Sequence, residues 1–256
     1  MKFLFVFIFG AVVGSFLNVC IYRIPRGKSI LWPGSRCPDC DSPIRPFDNI
    51  PLVSFLLLRA KCRDCGHKIP LRYFFVELIT AVSGVVLLFH FPANRAFFIY
   101  WFFACILIVV VFIDIEHRVI PDIFSIPGIF AGMIFSAFFL STAVGFSGER
   151  FIASLLGVFT GAGSMFLMGF LGELAFHRQA LGGGDIKLMA MIGAFIGWKL
   201  VLLVFFMAPV FGVGFALFAR LKKGDKEIPY APYLALGALI SLLYGDEVLR
   251  YLFPVL

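Results

Sequence analysis

Apolar residues run through this chain in blocks longer than most soluble helices need. Stretches with few charges recur at 3–22, 73–92, 96–115, 122–141, 150–174, 185–198, 199–219 and 231–253. About 20 apolar residues wound as a helix cross a hydrocarbon core, so each stretch predicts a transmembrane helix. The first has Lys2 ahead of it, as a signal peptide would, but it runs on to Tyr22 without a small-x-small cleavage site. It is read as a span that stays. The run from Leu188 to Ala219 is too long for one span and short for two, and Gly197, Trp198 and Lys199 offer a turn that divides it. The sixth helix is then short, a feature that thins a bilayer locally. The fold class is an all-α polytopic membrane protein of about eight transmembrane helices, with a small polar insertion after the first.

Composition agrees. Hydrophobic residues make up 61% of the 256, and charged residues 14%. Soluble domains average roughly 45–50% apolar. The net charge of +7 is unevenly placed, because residues 23–72 hold ten of the 22 lysines and arginines. Arg118, Arg178, Lys187, Arg220, Lys222, Lys223 and Lys226 fall on the same side if the spans alternate, leaving Lys2, Arg95, Arg150, Lys199 and Arg250 opposite. The positive-inside rule then sets the N-terminus outside and residues 23–71 in the cytoplasm. A charge pattern that follows topology calls for a lipid bilayer as partner and for no nucleic acid.

The insertion, 23–71, is rich in proline, which argues against long helices. It carries "CPDC" at 37–40 and "CRDCGHKI" at 62–69. Paired Cys-x-x-Cys knuckles 21 residues apart read as a tetrathiolate site for structural zinc on Cys37, Cys40, Cys62 and Cys65. Two disulfides are the alternative, and a reducing cytoplasm disfavours them. His67 is read as an ordinary polar side chain, and Cys20 and Cys105, inside spans, as packing residues.

Glu77, Asp114, Glu173 and Asp185 lie in or at the edge of spans. Asp114 ends an uncharged run and opens "DIEHRVIPD"; Asp185 ends the glycine-rich part of "LGGGDIK", 181–187. The alternating topology sets both at the cytoplasmic side at similar depth. Two carboxyl groups in a partly desolvated place share a proton, one serving as base and the other as acid, as in aspartic proteases. Gly182 and Gly184 would let backbone approach an extended substrate closely. The plainer reading makes Asp185 a helix cap, as expected of Asp122 after Pro121. Two other functions stay open from the residues alone. Intramembrane acids beside broken helices suit an ion-coupled transporter, and a zinc-held insertion suits a non-catalytic assembly factor.

In their order, "GSFLNVCIYRIP" (14–25), the two cysteine pairs, "RYFFVELITA" (72–81), "DIEHRVIPD" (114–122) and "GGGDIKL" (182–188) resemble the bacterial type IV prepilin peptidases, also called leader peptidase/N-methyltransferases. The resemblance covers almost the whole chain. It implies a GxGD-type aspartyl protease with Asp114 and Asp185 catalytic and Gly182 and Gly184 in the substrate loop. Such an enzyme removes the basic leader of prepilins and pseudopilins after a glycine, at the cytoplasmic face of the inner membrane. It then methylates the new N-terminal residue with S-adenosylmethionine. The implied division is 1–22 as first transmembrane helix, 23–71 as a cytoplasmic zinc-binding segment associated with methylation, and 72–256 as a transmembrane aspartyl peptidase domain. Asn18, Arg23 and Pro25 match the family's first motif; without it they read as a helix–helix hydrogen-bonding group and interfacial residues. Phe74 stands where the family often has proline. Neither the S-adenosylmethionine site nor the oligomeric state is legible.

Overall fold

Lipid offers backbone N–H and carbonyl groups no partner, so a chain this apolar must satisfy them within its own helices. The computed structural model describes residues 1–92, 94–140, 146–177, 182–220 and 229–252, all helix, turn or loop apart from two isolated bridges. The helices are α1 (Lys2–Arg23), α2 (Val53–Leu57), α3 (Leu71–His90), α4 (Arg95–His117), α5 (Asp122–Phe138), α6 (Gly148–Phe176), α7 (Gly183–Arg220) and α8 (Ala231–Leu252). Among the described residues, six are long and apolar enough to cross a membrane: α1, α3, α4, α6, α7 and α8. This is a multi-pass membrane protein. Helix α5, at 17 residues, is apolar but shorter than these six.

Eight predicted spans meet six membrane-capable helices among the described residues, through two differences: the fourth span, 122–141, is the shorter α5, Asp122–Phe138, and two spans are joined. The sixth and seventh spans form a single element, α7, of 38 residues, whose backbone breaks at Gly197 (φ 80°, ψ 173°). A positive φ suits glycine, which has no Cβ to clash, and the break falls where the sequence offered a turn. Leu181, Arg178, Lys222, Lys223, Lys226 and the end of the last predicted span lie outside the described residues.

The chain divides into two compact units, Met1–Phe112 and Ile113–Leu256. In the first, α1 packs on α3. A Cβ on Gly14 would lie 2.6 Å from the Cα of Glu77, so only glycine lets the two backbones come so close. One turn on, Asn18 Nδ2 donates to the carbonyl of Tyr73 at 3.0 Å, the helix–helix bond its position suggested. Trp101 of α4 stacks on Phe97, with ring centres 5.7 Å apart, and its ring also meets Phe9 of α1.

In the second unit α6 lies along α7. A Cβ on Gly157 or on Gly193 would fall on the other's carbonyl oxygen, and Ser154 Oγ donates to Ala194 O at 2.7 Å beside them. Helices this close gain van der Waals contact and a satisfied hydroxyl, which together substitute for a hydrophobic drive absent in lipid. The opposite face of α6 exposes Phe166, Leu167, Phe170, Leu171 and Leu174, a surface suited to acyl chains.

Gly193→Val should therefore force α6 and α7 apart and cost about 1–3 kcal/mol, the usual range for overpacking. Gly163→Ala, where an added Cβ meets nothing within 4 Å, should stay within about 0.5 kcal/mol of the parent. Thermal unfolding in detergent, read by circular dichroism, compares them; equal midpoints for both variants would contradict the close-approach account.

Candidate active site and metal centre

The second unit gathers acidic side chains from helix ends. Asp114 is in the last turn of α4 and is buried, 6% exposed. Its Oδ2 accepts the backbone N–H of Ala231, at the start of α8, at 3.1 Å, and the N–H of Tyr230 also reaches it. Asp185 is in the first turn of α7 and half-buried, and its N–H donates to Gly182 O at 3.1 Å. The two carboxyl groups, 71 positions apart in sequence, lie near enough for Asp185 to feel the charge of Asp114. Asp185 is thus the third residue of its helix rather than a residue preceding it.

Gly184 earns its place sterically. A Cβ there would sit 2.9 Å from Cβ of Ile120, so a side chain would push the loop before α5 away from the start of α7. A Cβ on Gly182 would face Asp185 Oδ2 at 3.5 Å, an ordinary contact. Asp122 is the first residue of α5, where a negative charge suits the helix dipole. Both its carboxylate oxygens accept from Lys187 Nζ, at 2.7 and 2.8 Å. This ion pair ties α5 to α7 two residues beyond Asp185. Glu173, on α6, is exposed.

Tyr230 and Ala231 were not legible as site residues. Tyr230 Oη is buried with no hydrogen-bond partner among the described residues. Burial, and then the charge of Asp185, push its hydroxyl up to about 12, so it keeps its proton at neutral pH. The one sequence signal was a tyrosine between Pro229 and Pro232 at the head of the last span.

In the first unit, the Sγ atoms of Cys37, Cys40, Cys62 and Cys65 all lie within 4.8 Å of one another. Each pair sits in a turned hairpin. Cys37 N–H donates to Ser42 O and Asp41 N–H to Cys37 O; the second knuckle repeats this, with Cys62 N–H to His67 O and Gly66 N–H to Cys62 O. Cys37 and Cys65 Sγ are 3.8 Å apart, and ligands about 2.3 Å from a tetrahedral zinc stand about that far apart. Hydrogen bonding from Ser42 lowers the Cys40 thiol to about 7, toward the thiolate that binds metal. His67 stays outside the cluster, with Nδ1 3.5 Å from Asp39 Oδ2. Arg23, at the end of α1, donates to Ser29 O and Gly34 O at 2.9 and 3.0 Å and so fastens the segment's first loop.

Comparison with known proteins gives the family. Residues 8–91 match the Bacterial Peptidase A24 N-terminal domain, and residues 101–217 match the Type IV leader peptidase family. A Dichelobacter nodosus protein named prepilin leader peptidase/N-methyltransferase is 33% identical over 95% of this chain and 92% of its own length. The chain belongs to the type IV leader peptidase family. Relatives of the same name occur in Bacillus subtilis, 34% identical over 96% of this chain and 95% of theirs, and in Myxococcus xanthus, 37% identical over 86% and 64%. No solved structure matches. The motif resemblance seen in the sequence is borne out. In leader-peptidase terms, the N-terminal match contains all four clustered cysteines and the family match contains Asp114 and Asp185.

Within the cysteine segment, Arg63 grips Asp48 with Nε and Nη2 at 2.8 and 2.6 Å and holds its carboxyl below the usual carboxylate range. A depressed folded-state value contributes stability that is complete above the unfolded value of about 3.9 and is lost as pH falls through the lower folded value. Carboxyl-carbon NMR should give Asp48 a midpoint below that value in the parent and a higher one in Arg63→Gln. An unchanged midpoint would show that the pair does not hold in solution.

Proposed function

We propose that this protein removes the leader peptide of type IV prepilins or pseudopilins after a glycine and methylates the amine so exposed. The observation that carries the proteolytic half is the convergence of Asp114 and Asp185 in one unit, with backbone N–H groups from residues 230 and 231 fixing one carboxylate. The names of the relatives point to the same two activities.

Peptide hydrolysis at such a pair needs one shared proton. The ionised carboxylate takes a proton from water as the oxygen attacks the scissile carbonyl, and the protonated partner donates to the carbonyl oxygen. Collapse returns that proton and delivers one to the leaving nitrogen. We assign to Tyr230, whose buried hydroxyl has no partner among the described residues and feels the charge of Asp185, a supporting hydrogen bond to that carbonyl oxygen. Gly182 keeps the start of α7 beside Asp185 free of a side chain where an extended strand would pass, and Gly184 lets that start close on Ile120. The clustering of lysines and arginines supports an orientation with the N-terminus outside, and the aspartates and residues 23–71 at the cytoplasmic face of the inner membrane.

For the second half we assign structural zinc to Cys37, Cys40, Cys62 and Cys65, a donor set and spacing that suit a closed tetrahedral site. Zinc would lock the two knuckles together in a segment with little core of its own. S-adenosylmethionine would supply a methyl group on sulfonium sulfur. Transfer forms the N–C bond as the S–C bond breaks, leaves the electron pair on sulfur, and releases a proton from nitrogen. Residues 23–71 serve this step and 72–256 the proteolysis.

Asp114→Asn and Asp185→Asn should each slow leader cleavage by at least about a thousandfold, the scale seen when one member of a concerted catalytic set is lost. Mass spectrometry of a co-expressed prepilin reads this directly, and near-parental cleavage by either inserted variant would remove the dyad assignment. Metal analysis of freshly purified protein should find one zinc per chain. Replacing all four cysteines should yield cleaved, unmethylated pilin; uncleaved pilin from a stable, inserted variant would make the zinc segment part of the protease site.

A further inference from the structure

The first unit encloses a cavity of about 870 Å³ between the facing ends of α1 and α3 and the segment that joins them. Pockets for small organic ligands run about 300–1,000 Å³, so it has room for a nucleoside carrying an amino-acid chain. Its wall divides by chemistry. The helices contribute Asn18 and Glu77, and aromatic rings come from Tyr22, Trp32, Phe55 and Tyr73. The segment's share is net basic, with five lysines and arginines against three aspartates.

The two helical polar groups are built in. Glu77 is 8% exposed; one carboxyl oxygen accepts the N–H of Leu52 at 2.7 Å, and the hydroxyl of Ser15 binds the same group. Those bonds fix the carboxyl group and leave lone pairs for a ligand. Asn18 is 2% exposed, and its Nδ2 is used on Tyr73 O while its Oδ1 is buried without a partner among the described residues. A buried acceptor left unsatisfied is destabilising, and a cationic or donor-bearing ligand would satisfy it. Both groups stand on neighbouring turns of the α1–α3 contact that Gly14 closes. Cys37 and Cys62 also line the cavity, so the metal cluster forms part of its wall.

We propose that this cavity binds the methyl donor, with Glu77 and Asn18 set against the cationic sulfonium end of S-adenosylmethionine. The aromatic rings offer faces to adenine, and the basic share of the wall suits the donor's carboxylate. The inference rests on the methyl-transfer reading above and adds the location and the residues. It also gives the zinc segment a physical part in methylation: the knuckles shape the wall.

The test uses the full chain, zinc-loaded, in lipid nanodiscs. Tritiated S-adenosylmethionine is bound, crosslinked by ultraviolet light, and located by peptide mapping. Label should fall within residues 12–77. Equilibrium dialysis then compares S-adenosylmethionine with S-adenosylhomocysteine, whose sulfur is uncharged. Glu77→Gln keeps an acceptor for Leu52, so the local fold should persist. It should weaken the sulfonium ligand by about tenfold or more, since charge-assisted contacts are the stronger ones, while the uncharged ligand changes little. Equal weakening of both ligands would overturn the role given to Glu77, reducing it to support of Leu52. Label confined to residues 113–256 would overturn the site while leaving the methyltransferase reading intact. A parent protein that neither binds the donor nor methylates cleaved pilin would overturn both.

Discussion

Hydrocarbon leaves no hydrogen-bonding group unattended without a cost of several kcal/mol, and the polar groups of this chain are arranged around that demand. Most are met inside helices. Several others are met between elements: Asn18 Nδ2 on Tyr73, Ser154 on Ala194, Glu77 on Leu52, and Asp114 on Ala231. The last two differ from the others in kind. Each places a carboxyl group where a neutral hydroxyl or amide would have cost less, and each does so at the end of an apolar helix. The expense of a carboxyl group in such a place is itself a reason to look for chemistry there.

The two units answer the demand in different ways. In Met1–Phe112 the helices α1 and α3 hold a polar-walled cavity between themselves and a segment too rich in proline and too poor in core to fold by burial alone. Four thiols gathered within 4.8 Å give that segment a centre. In Ile113–Leu256 the glycines of α6 and α7 draw two helices together until their backbones touch. This fixes the frame from which Asp185 projects. The Lys187 ammonium on Asp122 adds a polar tie two residues further along α7. Rigid supports of this sort suit the proposed site, in which two carboxyl groups would act together.

Helices were legible because each is a local object: an apolar run long enough to span lipid satisfies its own backbone, and no distant residue is needed to define it. The break in α7 was legible for the same reason, since Gly197 carries its own conformational signal. The cysteine cluster was legible because paired knuckles advertise their ligands by spacing. The neighbours of the aspartates were not. Nothing in the residues around 230 announces that their N–H groups meet a carboxylate 117 positions earlier. Nor does the sequence near Glu77 show that Leu52 binds it, or that a cavity opens beside it. Asp122 was read as a helix-start acid and stands in the first turn of α5, but its ion pair with Lys187, 65 positions on, left no trace in the sequence. Contacts made by tertiary packing leave no periodic trace.

The central claim is that Asp114 and Asp185 act as one catalytic unit rather than as two separate polar groups. A double-variant cycle addresses it most directly. Single-turnover cleavage of a radiolabelled prepilin is measured for the parent, for Asp114→Asn, for Asp185→Asn and for the double variant, all reconstituted in the same lipid. Groups that share one proton in one step cannot be lost twice, so the double variant should be no slower than the slower single variant. Losses that multiply would mean that the two aspartates act independently, and the shared-proton mechanism would be wrong.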